Sequence, residues 1–120
     1  MYIANPTARL GEKIASDYLR KQGFKIIERN FRKGYGEIDI IAIDKDTLVF
    51  IEVKTRKSNK FGTPLEQISF YKIKALEKTA LFYAKLHPEL PQALRIDAVS
   101  VVLDSFGNVV NIELVKNISG

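Results

Sequence analysis

The chain has 120 residues, of which 46% are hydrophobic and 28% are charged, so it is too apolar for a disordered protein. It contains no cysteine, which excludes disulfide scaffolds and thiolate metal sites, and its net charge of +5 favours polyanionic partners such as nucleic acid. No apolar run approaches the ~20 residues of a membrane span, and the N-terminal residues lack a secretory signal. We therefore expect one cytoplasmic domain over residues 1–120, without membrane contact.

The first half of the chain predicts one helix followed by three strands. Asn5 is a typical N-cap and Pro6 suits the first helical position, so the first helix is predicted from Pro6 to about Gln22. Runs rich in β-branched and aromatic residues predict strands at residues 24–31, 37–43 and 48–55. Polar turns are predicted at residues 32–35 and 44–47.

A second helix and two further strands are predicted after a basic loop. The segment TPLE has the pattern of a capping box, with Thr63 as N-cap, so this helix is predicted from there to about Leu86. Its apolar stripe is predicted to contain Leu65, Ile68, Leu76, Ala80 and Tyr83. Strands are predicted at residues 93–103 and 109–115. The order α-β-β-β-α-β-β predicts an α/β fold whose mixed sheet is flanked by helices, with the third and fourth strands parallel.

Two features of this second half are interpreted as structural. Gln67 and Tyr71 lie four residues apart, as in a motif of some recombination nucleases, but the same spacing is typical of helix packing. Asp97 lies between two apolar residues of the predicted fourth strand. We interpret Asp97 as a buried, hydrogen-bonded acid.

Three acids interrupt the otherwise apolar second and third predicted strands. Glu37 and Asp39 lie in the second strand and Glu52 lies in the third, where an unpaired buried charge would be costly. A two-residue or symmetric four-residue turn places Asp39 directly opposite Glu52, with Cβ atoms about 4.5–5.5 Å apart. The side-chain period of two adds Glu37 and Lys54 to the same face. The hairpin therefore predicts a patch of three carboxylates and one amine.

Such a patch is typical of a metal site. Neighbouring carboxylates repel each other unless a cation lies between them or one holds a proton. Oxygen ligands suit Mg²⁺ or Mn²⁺, which keeps waters and so leaves positions for a phosphate oxygen and an attacking water. Lys54 would lie beside that water or the phosphate, where it would orient the nucleophile or stabilise developing charge.

A plainer interpretation fits the same alternation. The second strand could be half solvated, with its acids on the wet face, and Glu52 and Lys54 could form a surface ion pair worth little. The joint placement of an aspartate and, twelve residues later, a Glu-x-Lys triplet favours the metal site.

Asp39 and the triplet Glu52-Val53-Lys54 resemble the PD-(D/E)XK signature of restriction-endonuclease-like nucleases. Over nearly its whole length the chain is similar to the YraN-like family of predicted endonucleases, which are related to Holliday junction resolvases. The matching segments are, in order, LGEKIASDYLRKQGFKIIERNFR, GEIDIIAID, LVFIEVKTR, FGTPLEQI and RIDAVSVV. The resemblance implies a single endonuclease-like domain with the restriction-endonuclease-like fold.

The resemblance also implies a role for each matching residue. The implied metal ligands are Asp39, Glu52, Val53 through its carbonyl group, and Glu12, which matches the helix acid of resolvase-like members. Lys54 would be the catalytic lysine, acting with these acids, and Glu37 would be an auxiliary acid. Resolvase relatives are symmetric dimers, so a homodimer is a further expectation by analogy.

Basic residues flank the acidic strands and are predicted to contact nucleic acid: Arg32, Arg56, Lys57 and Lys72. Because the sequence contains no base-reading motif, we expect these contacts to hold the phosphodiester backbone. The sequence thus predicts a Mg²⁺- or Mn²⁺-dependent endonuclease for branched or otherwise structured DNA. Two alternatives stay open: a non-catalytic nucleic-acid-binding or scaffolding module that retains the fold, and an RNA nuclease.

Overall fold

The computed structural model describes residues 5–34, 36–58 and 68–120, which form two helices packed on a five-stranded sheet. The elements are α1 (Pro6–Lys21), β1 (Lys25–Lys33), β2 (Gly36–Asp44), β3 (Thr47–Lys57), α2 (Phe70–Leu86), β4 (Ala93–Leu103) and β5 (Val109–Val115). The strand order is β1-β2-β3-β4-β5, with β3 and β4 parallel and the other neighbours antiparallel. The predicted mixed sheet and element order are confirmed.

The sheet lies between the two helices, with an apolar core on each face. On the α1 face the core contains Leu19, Ile40, Val49, Ile51, Val99 and Val101. On the α2 face it contains Ile38, Ile41, Phe50, Leu76, Ala80, Tyr83 and Ile96. β3, at the centre of the sheet, is therefore covered on both sides as far as Ile51. No helix in the described part of the chain has both the length and the apolar character needed to cross a membrane.

β1 is longer at its C-terminal end than the sequence predicted. Arg32 and Lys33, expected in a turn, instead pair with Glu37 and Gly36 of β2. Arg32 Nε lies 2.8 Å from Glu37 Oε2, and opposite charges that face each other across two strands favour pairing. The charged side chains therefore extend the ladder rather than ending it.

The hairpin between β2 and β3 has the predicted register. Asp44 pairs with Thr47 across a two-residue loop, and the described pairing continues to Ile40 opposite Ile51. On its other edge β2 pairs with β1 from Ile43 to Ile40 and again from Ile38 to Gly36. From Asp39 backwards, the β1–β2 hairpin therefore separates from β3 and leaves a gap in the sheet.

α1 begins as predicted and packs very closely on β3. The Asn5 side chain caps the helix by accepting a hydrogen bond from the Thr7 amide at 2.8 Å. Gly11 is buried, and a Cβ atom added there would overlap the Thr55 side chain. The absence of a side chain at Gly11 therefore permits this close approach of the helix to the sheet.

α2 begins at Phe70, several residues later than predicted. Ser69 is its N-cap, because its hydroxyl oxygen accepts a hydrogen bond from the Lys72 amide at 3.1 Å. Ile68 and Ser69 are not helical, so the prediction of a continuous helix through these two residues is wrong. The capping-box residues themselves, together with Leu65 and Gln67, lie outside the described residues.

The packing face of α2 is only partly as predicted. Leu76, Ala80 and Tyr83 are buried against the sheet, as expected. Tyr71 is 82% exposed, so its interpretation as a packing residue is wrong. At the first turn of α2, Tyr71 faces away from the sheet, whereas Lys72 beside it faces the sheet.

Asp97 has the predicted structural role. Its carboxylate is fully buried and accepts hydrogen bonds from Arg95 Nε and Nη2, both at 2.9 Å, and from the Asn117 amide at 2.9 Å. Arg95 Nη2 also donates to Asp44 Oδ2 at 2.8 Å. The network joins β4 to the β2–β3 turn and to the segment after β5.

Candidate metal and nucleic-acid site

The side chain of Asp39 closes the gap between β2 and β3. Its Oδ2 atom accepts a hydrogen bond from the Val53 amide at 2.8 Å. In a continuing ladder, a backbone carbonyl of β2 would accept that bond. The sequence predicted that Asp39 would face Glu52 across a paired ladder, and the pairing in the structure stops one rung short of it. Asp39 therefore follows directly on the last paired rung, and its side chain binds the backbone of Val53, the residue after Glu52.

The regular alternation of β2 also breaks at this position. Ile40 packs in the α1-side core and Ile41 packs in the α2-side core, as the period of two requires. Ile38 should then share the face of Ile40, yet it packs in the α2-side core. The change of face falls on Asp39, at the point where the strand leaves the ladder.

A cavity of about 320 Å³ opens at the gap. It is lined by the first half of α1, by β2 and β3 where they separate, and by one residue of α2. The predicted site residues that line it are Glu12, Glu37, Asp39, Glu52, Val53, Lys54 and Lys72. Four separate elements thus bring the predicted acids and the predicted lysine to one cavity.

Glu12 reaches this cavity because of the close packing of α1. Gly11 holds the helix against Thr55 of β3, and the next residue therefore lies at the cavity wall. Partial burial raises the pKa of Glu12, while the charge of Arg29 and a hydrogen bond with the Asn30 side chain oppose that rise. Glu12 is therefore a half-buried acid at the boundary of the site.

Glu52 is buried and is paired with two lysines. Its side chain is 5% exposed, and Lys54 Nζ and Lys72 Nζ each lie 3.7 Å from Glu52 Oε2. Lys54 comes from the same strand and Lys72 comes from α2, so the acid is contacted from two elements. From the sequence, Lys72 was predicted to contact nucleic acid, and its ion pair with Glu52 was not predicted. No local pattern indicates a pair between residues 20 positions apart.

Asp39 has no such neutralising partner among the ion pairs of the described residues. Its burial, together with the nearby charge of Glu52, raises its pKa to about 8, although the hydrogen bond from Val53 opposes the rise. A carboxyl group in this position is most stable when it holds a proton or faces a cation. The charged form of Asp39, buried next to Glu52, is therefore unfavourable unless a cation binds beside it.

The residues of this pair fit a hard divalent ion. Magnesium is typically bound by one or two carboxylates and keeps several waters, and Asp39 and Glu52 would supply that number, with the Val53 carbonyl nearby. Within residues 5–34, 36–58 and 68–120, no three Asp, Glu or His side chains converge closely enough to hold an ion together. Glu12, predicted as a further ligand, therefore does not form a ready-made three-acid cluster with Asp39 and Glu52.

The predicted nucleic-acid contacts lie at different distances from the cavity. Lys72 is part of its wall, and Arg32 is joined to the wall residue Glu37 by an ion pair between half-exposed side chains. Arg56 and Lys57 are partly buried at the end of β3, just after the residues that line the cavity. The four therefore flank the acids on the strands and on α2, as their sequence positions indicated.

Residues 11–101 match the family model described as "Uncharacterised protein family UPF0102". Similar proteins, each named a UPF0102 protein, occur in Caldicellulosiruptor bescii, 44% identical over 91% of this chain and 92% of the relative, and in Syntrophomonas wolfei, 43% identical over 84% and 88%. A third, from Clostridium botulinum strain 657, is 42% identical over 97% of this chain and 95% of its own. The family match spans every site residue from Glu12 to Lys72.

Proposed function

The chain belongs to the uncharacterised protein family UPF0102, and from the geometry of its site we propose that it is a Mg²⁺- or Mn²⁺-dependent endonuclease for branched or otherwise structured DNA. The observation that carries the proposal is the buried pair Asp39 and Glu52, which lines an open cavity together with Lys54. Burying two acids costs free energy, and buried acids with shifted pKa values cluster at functional sites.

The reaction would be hydrolysis of a phosphodiester. The oxygen of a water forms the new bond to phosphorus while the bond to the leaving sugar oxygen breaks, and that oxygen takes up a proton. A bound divalent ion would supply Lewis-acid activation and a water of lowered pKa. Asp39 and Glu52 would hold the ion at the end of the cavity where the two strands separate.

Lys54 is suited to act on the reacting phosphate. Its side chain is one-third exposed and lines the cavity, and its ammonium group lies 3.7 Å from Glu52 Oε2. A positive charge held there by the acid can stabilise the negative charge that develops on the phosphate oxygens. The same ammonium group can donate a hydrogen bond to the attacking water.

One observation favours the non-catalytic alternative. Lys54 and Lys72 both contact Glu52, so this acid already has counter-charges without any ion. A module that kept the fold but lost the metal could use such pairs to stabilise its buried acid. The distinguishing property is therefore metal-dependent cleavage rather than nucleic-acid binding.

Single-turnover cleavage tests the proposal. The substrates are linear, nicked, forked and four-way DNA and a matched RNA fork, each with Mg²⁺, Mn²⁺ or EDTA. We expect cleavage of branched DNA only with a divalent ion, and a loss of at least ~10²-fold in Lys54→Ala, the scale of a lost electrostatic or proton-transfer group. Lys45→Ala, an exposed lysine of the β2–β3 turn, is the matched control and should cut like wild type.

The outcomes separate the three candidate functions. No cutting of any substrate by wild-type protein would support the non-catalytic module. Preference for the RNA fork would support the RNA nuclease. Equal rates in wild type and Lys54→Ala would remove the lysine from the mechanism.

A further inference from the structure

A second concave surface lies on the other side of α1. It is a groove of about 540 Å³ between the first half of α1 and the middle of β1, which we name the α1–β1 groove. It is lined by Arg9, Leu10, Glu12, Lys13, Arg29 and Asn30. Three of these six side chains are basic and one is acidic, so the groove favours an anion.

The groove continues from the candidate site. Glu12 lines both the groove and the cavity that contains Asp39. Residues four apart share one stripe of a helix: Ala8 and Glu12 face the cavity, whereas Arg9 and Lys13, on the adjacent stripe, face the groove. A chain-like ligand bound at the cavity can therefore pass over α1 into the groove.

The arginines of the groove are available to a ligand. Lys13 pairs with Asp17 at 3.1 Å, but both side chains are at least half exposed, so water weakens that pair. Among the ion pairs within the described residues, none involves Arg9 or Arg29. Both arginines are exposed, and Arg29 acts on Glu12 only through its charge.

The chemistry of the lining selects the kind of ligand. Guanidinium groups bind phosphate through paired N–H donors, and Asn30 adds a short polar side chain. Among the described residues that line the groove none is aromatic, so the groove offers no aromatic ring from that part of the chain for a base to stack on. Leu10, 37% exposed, provides an apolar surface of the kind that a sugar ring contacts.

We propose that the α1–β1 groove binds the sugar–phosphate backbone of a nucleic-acid strand that continues from the candidate site, with Arg9 and Arg29 as its phosphate contacts. The inference rests on the proposed function in one respect, namely that the strand enters the groove from the cavity that contains Asp39. It adds to the basic residues predicted from the sequence a contact surface on α1 and on the outer strand of the sheet.

Binding of a fluorescent DNA fork, measured by anisotropy in EDTA so that no cleavage occurs, tests the groove. The test variant is Arg9→Gln with Arg29→Gln. Its matched control is Lys21→Gln with Lys25→Gln, which removes two exposed charges from the same two elements outside the groove. We expect the groove variant to bind ~10-fold more weakly, with a log–log salt slope smaller by about 1.4–1.8, because each lost phosphate contact contributes about 0.7–0.9.

The control variant should bind within about twofold of wild type, since it keeps every groove contact. Equal losses in both variants would show a general charge effect and overturn the groove. Melting curves by circular dichroism identify a variant that does not fold, and the single variant Arg9→Gln, with about half the change in slope, then replaces it.

This result is independent of cleavage. A protein that binds DNA through the groove and cuts nothing would contradict the proposed function and leave the groove standing. A protein that cuts DNA while the groove variant binds like wild type would contradict only the groove.

Discussion

Asp39 is the residue whose ionisation should be visible in the stability of the protein. Its pKa is raised to about 8 by burial and by Glu52, whereas in the unfolded chain it returns to 3.8. Between these values the folded protein retains a proton that the unfolded chain releases. Without divalent ions, the contribution of Asp39 to stability is therefore fully present below about pH 4 and is lost as the pH rises through about 8.

Asp39→Asn should remove this pH dependence. Asparagine keeps an oxygen that can accept the Val53 hydrogen bond and carries no charge. In EDTA we expect the variant to match wild type near pH 4 and to be more stable by ~1 kcal/mol or more near pH 8, given about 1.4 kcal/mol per unit of pKa shift. Urea denaturation at a series of pH values measures the difference.

The exposed acid Asp17 provides the control for this comparison. Its pKa is lowered by Lys13, so Asp17→Asn should give no gain in stability at high pH. The raised pKa of Asp39 would be contradicted if the stability of the wild-type protein, relative to Asp39→Asn, did not fall between pH 4 and pH 8.

At the scale of elements, the placement of α1 on β3 determines whether Glu12 reaches the site. A Cβ atom at Gly11 would lie too close to the Oγ1, Cβ and Cγ2 atoms of Thr55, so no rotation of that side chain removes the overlap. Gly11→Ala should therefore lower the free energy of unfolding by about 1–3 kcal/mol, the usual cost of overpacking, although alanine favours the helix. Urea denaturation measures the loss.

Two further variants isolate the cause of that loss. Gly34→Ala is the matched control and should be nearly neutral, because a Cβ atom there meets no atom of the described residues within 4 Å. Thr55→Ala combined with Gly11→Ala should recover part of the lost stability, since two of the three overlapping atoms are removed. Full stability in Gly11→Ala alone would show that α1 does not need this contact.

At the scale of the whole molecule, the Arg95 network connects parts of the chain that lie far apart in sequence. Removing the arginine leaves the fully buried carboxylate of Asp97 with only its backbone hydrogen bond from Asn117. Arg95→Met should therefore cost about 3 kcal/mol, the order of magnitude for breaking a buried ion pair by removing one partner. Thermal and urea denaturation both report this change.

A surface pair offers the comparison for Arg95. Arg20 and Asp17 lie 3.2 Å apart with both side chains about half exposed, so Arg20→Met should cost less than ~1 kcal/mol. Similar losses in the two arginine variants would mean that the network around Asp97 contributes no more than an ordinary surface contact.

The sequence by itself determined the order of the elements, the hairpin register and the identity of the acids. These follow from local rules: the N-cap at Asn5, the β-branched runs and the fixed side-chain period of a strand. Asp44 pairs with Thr47 as predicted, so the turn sets the register as far as Ile40 opposite Ile51, one residue before Asp39 and Glu52. A short turn of fixed length is therefore enough to bring the two acids to the same end of the hairpin.

Only the tertiary structure decided how those acids are surrounded. The β2–β3 ladder stops at Ile40, whereas β2 continues to pair with β1 as far as Gly36, and neither strand's own pattern shows where the ladder ends. The start of α2 at Phe70 and the approach of Lys72 to Glu52 depend on where the crossover returns to the sheet. Such contacts join residues distant in the chain, and packing, rather than local propensity, selects them.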